Sequence, residues 1–213
     1  MRSPVISSGR PAGRWWLAGL GGLAVLVVFA AFVHPLLAVT SRVDADVLVV
    51  EGWVDDDILA AAAREFRQGN YGLIVTAGLE FEAGADRSGK GSYAAQAAAK
   101  LAALGTPKTC LISCPTPFVS WHRTSNSARA VREMLRARGV RPHGVNVLTA
   151  GPHGRETWVA YRRMLDGFGP VGVISVPNTS YDATWWWASA EGRRWVFKNI
   201  VGWPKEVLLG ERS

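Results

Sequence analysis

The chain contains no acidic residue before Asp44 and only two cysteines. It also lacks a Gly-x-Ser-x-Gly elbow, a Walker-type phosphate loop, a His-Glu-x-x-His pair and a complete dinucleotide fingerprint after its first strand. These absences count against elbow-type hydrolases, P-loop enzymes, zinc proteases and nicotinamide-dependent enzymes. Cys110 and Cys114 fall on one expected strand, where extended geometry separates their Cα atoms by roughly 13 Å, against the ~7 Å limit of a disulfide. With no second Cys/His pair at ligand spacing, a zinc site has no support either, and both thiols read as packing residues. No Lys/Arg run is interleaved with stacking aromatics, so nucleic acid is not an expected partner. Internal repeats are absent too.

Charge is also missing from one long stretch. Between Trp15 and Ser41 there is no Asp, Glu, Lys or Arg. Its core, Leu17 to Val33, spans a hydrocarbon layer of about 30 Å when its flanks are added. Arg2, Arg10 and Arg14 precede it, and Arg42 after it is balanced by Asp44 and Asp46. That bias predicts one span over residues 15 to 39, a disordered cytoplasmic tail over 1 to 14, and a domain outside the cytoplasm in the inner or plasma membrane. A cleaved signal peptide is the competing reading, with an apolar region longer than usual. The 213-residue chain carries +7 overall. Beyond the span, 21 basic residues stand against 17 acidic ones, a net +4 that leaves room for an acidic ligand.

After Ser41 the pattern changes. Val47 to Val50, Leu73 to Ala77, Thr109 to Ser113, Val145 to Ala150 and Val171 to Val176 are short apolar runs bounded by Gly, Pro or Asp. Amphipathic segments lie between them, with faces Ile58/Ala62/Phe66, Tyr93/Ala97/Leu101/Leu104 and Val131/Met134/Leu135/Arg138. This alternation predicts an α/β domain over residues 43 to 210, Rossmann-like in three layers, with a mainly parallel sheet of about five strands. Trp185, Trp186, Trp187, Trp195 and Trp203 lie in a C-terminal helical region; they would cover a sheet face, rest on a membrane or line an apolar pocket.

In such a sheet the loops after the strands converge on one edge, beside helix N-termini that favour anions. Those loops carry Glu51, Gly52, Thr76, Gly78, Arg123, Thr124, Asn126, Gly151, His153 and Arg155. His153 is the general acid/base candidate, because imidazole titrates near neutrality. Arg123 and Arg155 offer paired N–H groups for phosphate or carboxylate, Asn126 would orient a neighbour, and Thr124 or Ser125 would cap a helix. Glycines at 52, 78 and 151 would admit a ligand close to the backbone. The acid run Asp55-Asp56-Asp57 reads as a helix start, not a metal site. Neither a metal nor a cofactor is expected.

Three segments carry a resemblance: Asp46 through Trp53, Arg123 through Ala128, and Thr149 through Arg155. In order and spacing the chain resembles the YdcF-like family (SanA/ElyC/YdcF type) from Asp46 to about Leu209. The resemblance implies a Rossmann-type domain, often with one N-terminal span, and a role in the bacterial envelope, in barrier function or in peptidoglycan and lipid-linked glycan metabolism. The chain departs from the family in having Glu51-Gly52-Trp53 in place of a double glycine, and no acid in Cys114 through His122. The leading expectation is a membrane-anchored envelope protein binding or processing a phosphate- or carboxylate-bearing ligand, small or lipid-linked. The alternatives are a module for S-adenosylmethionine or another nucleotide-like ligand, and a non-catalytic assembly partner.

Overall fold

The structure, a computed structural model, describes residues 13 to 210. Of the tail expected over residues 1 to 14, residues 1 to 12 lie outside the described residues, and Gly13 and Arg14 belong to the first helix. Five strands, β1 (Val47–Glu51), β2 (Leu73–Leu79), β3 (Leu111–Thr116), β4 (Val145–Ala150) and β5 (Val171–Val176), form one parallel sheet ordered β3-β2-β1-β4-β5. Six helices accompany it: α1 (Gly13–Leu37), α2 (Asp56–Gln68), α3 (Tyr93–Ala103), α4 (Arg123–Ala137), α5 (Gly154–Met164) and α6 (Ala190–Leu209). The fold is the expected α/β architecture.

Period-two alternation explains the layers. Val47, Val49, Val75, Val145 and Val147 point to one face and meet Val131 and Leu135 of α4 and Tyr161 and Met164 of α5. Leu48, Val50, Ile74, Leu148 and Ile174 point to the other, against Ile58, Ala62 and Phe66 of α2 and Ala97 and Leu101 of α3. Strands buried on both sides read as mainly apolar runs, which is why their sequences show no regular polar alternation.

Two elements differ from expectation. β3 begins at Leu111 and ends at Thr116 because Pro107 and a short 3-10 turn, Lys108–Cys110, precede it. Pro115 then lies inside the strand, tolerated because β3 is at the sheet edge and needs no further donor. The core face of α3 is Ala94, Ala97 and Leu101, whereas Tyr93 and Leu104 are exposed. Both cysteines are free thiols.

α1 is long and apolar enough to cross a membrane over Trp16–Leu37. Its last turns are docked. Val33 and Leu37 pack with Tyr181, Trp186 and Val196, and Trp187, Trp195 and Trp203 border the same cluster. Trp186 Nε1 donates to the Ala30 carbonyl at 2.8 Å, and His34 Nε2 lies 3.0 Å from the Tyr181 hydroxyl. The tryptophans thus serve chiefly the joint between α1 and α6, while Trp185 stays exposed. Beyond Leu37 the connection is pinned as well. Ser41 pairs antiparallel with Val173, and the Asn146 side chain bonds both the N–H and the carbonyl of Val43 at 3.0 and 2.9 Å. Gly172 makes the approach possible, since a Cβ there would stand 2.7 Å from the Ser41 carbonyl oxygen.

Candidate functional site

Strand order reverses between β1 and β4, so the chain diverges there and leaves a crevice at their carboxyl ends. β1 ends in Glu51. β4 runs through Thr149 into a 3-10 turn, Gly151–His153, that opens α5. The two neighbouring strands therefore bring Glu51 Oε2 and His153 Nε2 within 3.7 Å, both side chains buried. Above them lies a cavity of about 540 Å³, with walls from Trp53, Gly78, Tyr93, Trp121, Arg123 and Thr124 and from Lys198, Gly202, Lys205 and Glu206 of α6.

The orientation of His153 follows from its partners. Asn199 Nδ2 donates to the Trp195 carbonyl at 2.8 Å, which turns its Oδ1 toward His153 Nδ1 at 2.9 Å. An amide oxygen only accepts, so Nδ1 carries a hydrogen, and in the neutral ring Nε2 is the nitrogen with the lone pair. That nitrogen faces Thr124 Oγ1 at 3.4 Å, Glu51 and the cavity. Trp53 packs edge-on against the imidazole at 5.1 Å and stacks on Trp195, fixing the ring from the side.

Burial pushes the Glu51 carboxyl above the usual carboxylate range, against the smaller opposing pull of His153 and of hydroxyl donors from Thr149 and Thr157. Burial disfavours the charged form, and nothing cationic is close enough to offset it fully. The consequence for stability has a definite sign. A carboxyl whose folded pKa is raised stabilises the fold below its unfolded pKa and loses that contribution as pH rises through the folded value. Glu51→Gln keeps an oxygen to accept from both threonines. Thermal melts in detergent should therefore find the variant more stable than wild type at pH 8, with the difference shrinking toward pH 4. A gap that is constant with pH would contradict a buried, protonatable Glu51.

Cations surround the mouth. Arg123, the first residue of α4, lines the cavity and has no hydrogen-bond or ion-pair partner among the described residues. Lys198 lies over the Trp53 and Trp195 rings at 5.8 and 5.6 Å, and Lys205 over Trp121 at 4.0 Å. Glu206, by contrast, is paired inside the wall with Arg163 Nη1 at 3.2 Å and accepts a hydrogen bond from the Ser125 hydroxyl at 2.6 Å. Before α4 the backbone turns sharply at His122, whose φ of 52° is the one positive value at a non-glycine among the described residues. This turn places Trp121, His122 and Arg123 together on the rim.

The anticipated residues divide into two groups. Glu51, Gly78, Arg123, Thr124 and His153 gather at the cavity. Arg155 does not join them: its Nε donates to the Leu36 carbonyl and its guanidinium covers Trp203 at 5.3 Å, so it caps the end of α1. A helix end leaves carbonyls without partners, and a nearby guanidinium satisfies them. Asn126 bonds back to the His122 carbonyl at 2.9 Å, and Thr76 to the Ala94 carbonyl at 2.8 Å. Gly52 makes room for the start of α3, since a Cβ there would lie 2.6 Å from the Tyr93 carbonyl oxygen. Gly151, with φ of 37°, turns the chain into the 3-10 segment.

Sequence reasoning missed the α6 wall. Lys198, Gly202 and Glu206 recur every fourth residue, which puts them on one helical face. Asn199, the partner of His153, was also hidden among tryptophans. Compared with known protein families, with curated proteins and with solved structures, the chain matches none.

Proposed function

We propose that the chain is a membrane-anchored, extracytoplasmic protein of the bacterial envelope that binds and processes an anionic, phosphate- or carboxylate-bearing ligand. Peptidoglycan or lipid-linked glycan metabolism is the setting that its resemblance to the YdcF-like type suggests. The observation carrying this reading is the Glu51–His153 pair at the floor of a cavity whose rim holds Arg123, Lys198 and Lys205. Anions are drawn to such a rim, and an imidazole nitrogen beneath it can take or return a proton. The arginine bias before α1 supports an N-terminus inside and the domain outside.

A nucleotide-like ligand is served less well. The glycines that would admit a pyrophosphate after β1 and β2 instead receive the backbone of residues 93 and 94.

The test uses farnesyl monophosphate and inorganic phosphate as probes, titrated calorimetrically into the full chain in detergent. A charge-assisted hydrogen bond is worth about 1.5–3 kcal/mol. Arg123→Ala and Lys198→Ala should therefore each weaken binding about 10- to 100-fold. Wild-type affinity in both variants, or no binding of either probe, would remove the anion-site reading.

A further inference from the structure

α6 has two working sides. Val196, Asn199 and Glu206 are buried, and the cavity wall lies beside them. On the opposite side Phe197, Val201 and Leu208 are 54%, 67% and 78% exposed. At 100° per residue these three fall within a narrow arc, and Arg193 and Arg194 flank it. A soluble helix does not ordinarily present such a stripe to water, and an apolar strip bordered by basic residues is the pattern of a helix lying in a membrane interface.

The height of α6 is set by α1. A hydrocarbon core of about 30 Å takes up about 20 residues of helix. The apolar run Trp16–Leu37 has 22 residues, so nearly all of it is needed. Yet Trp186 already bonds the Ala30 carbonyl, seven residues and about 10 Å before the helix ends. The tryptophan turn and the start of α6 are thereby held against the last two turns of α1, no farther out than the outer boundary of the hydrocarbon layer, a boundary that indole rings favour. Trp185, exposed beside Trp187 at a ring separation of 5.3 Å, extends the same surface.

We infer that α6 and the turn before it rest in the interface of the bilayer crossed by α1, with Phe197, Val201 and Leu208 against lipid and Arg193 and Arg194 against anionic headgroups. The inference relies on α1 being a span, as proposed above, but not on any ligand. The cavity, walled by another side of the same helix, would then lie within about one helix diameter, about 10 Å, of that interface.

The experiment places an environment-sensitive fluorescent amino acid at Val201, at Val25 within α1, or at Lys108 at the amino end of the edge strand. Each full-length variant is reconstituted in phosphatidylglycerol-containing vesicles. At Val201 the probe should be quenched by brominated acyl chains and shielded from iodide, several-fold more so than at Lys108. Val201 behaving like Lys108 would overturn the inference while a quenched Val25 left the span intact. Shielding from iodide without bromolipid quenching would mean that protein covers the stripe, and would overturn it too. An unquenched Val25 would sink the span itself and this inference with it. All three positions are exposed, and matching melting curves would confirm that the substitutions leave the fold in place.

Discussion

Replacing His153 by alanine is expected to slow consumption of a prenyl diphosphate probe by about 10²- to 10⁴-fold, the range for loss of a positioned general acid/base. Affinity for the probe should change little, because the rim cations remain. The expectation comes from the tautomer: Asn199 takes the Nδ1 hydrogen, so the nitrogen turned to the cavity is the basic one. Glu51 Oε2, 3.7 Å away, is the carboxyl that can exchange a proton with it. If the two act as one unit, His153→Ala combined with Glu51→Gln should be little slower than the worse single variant. Chromatographic assay of the remaining probe decides the matter. A wild-type rate in the alanine variant would exclude acid/base work by His153, and a wild type that binds without consuming the probe would make the chain a binding protein.

The largest loss of stability is expected from Arg163→Met. Arg163 reaches Glu206 Oε1 at 3.2 Å and the Glu206 and Val207 carbonyls at 2.9 and 3.2 Å, so one guanidinium closes the end of α6 and neutralises a buried carboxylate. Removing one member of a buried pair leaves the other charge without compensation, which costs about 3–5 kcal/mol. Arg163 is 22% exposed against 5% for Glu206, so the lower figure of about 3 kcal/mol is expected. Chemical denaturation in detergent would read it. The double variant Arg163→Met, Glu206→Met should recover most of the loss, since two apolar side chains of similar bulk leave no stranded charge. Equal instability of the single and double variants would mean that the pair is not the source.

Much of this arrangement is legible in the chain because its physics is local. β4 and β5 have their observed bounds in the sequence, as mainly apolar runs stopped by Gly151 and Pro177. That Glu51 and His153 share one sheet edge follows from the parallel sheet alone, whereas their placement on neighbouring strands comes from the strand order, which the sequence does not reveal. Arg155 shows where such reasoning ends. It opens α5 two residues after His153, yet its direction is decided by the carbonyls of a helix more than a hundred residues earlier. Asn126 likewise satisfies its own helix start. The contribution of α6 depends on tertiary docking, and the density of tryptophan there drew attention away from a plain four-residue spacing of Lys198, Gly202 and Glu206. β3 moved for a different reason, a proline-led turn that consumed its first residues.

The fastening of residues 38 to 46 along β5 and Asn146 has a mechanical meaning. A head on a slack leash would sample every tilt and distance that its leash permitted. Here the mast and the head are welded, so the opening keeps one distance and one tilt relative to α1, and whatever α1 is set in decides from which direction a molecule can arrive.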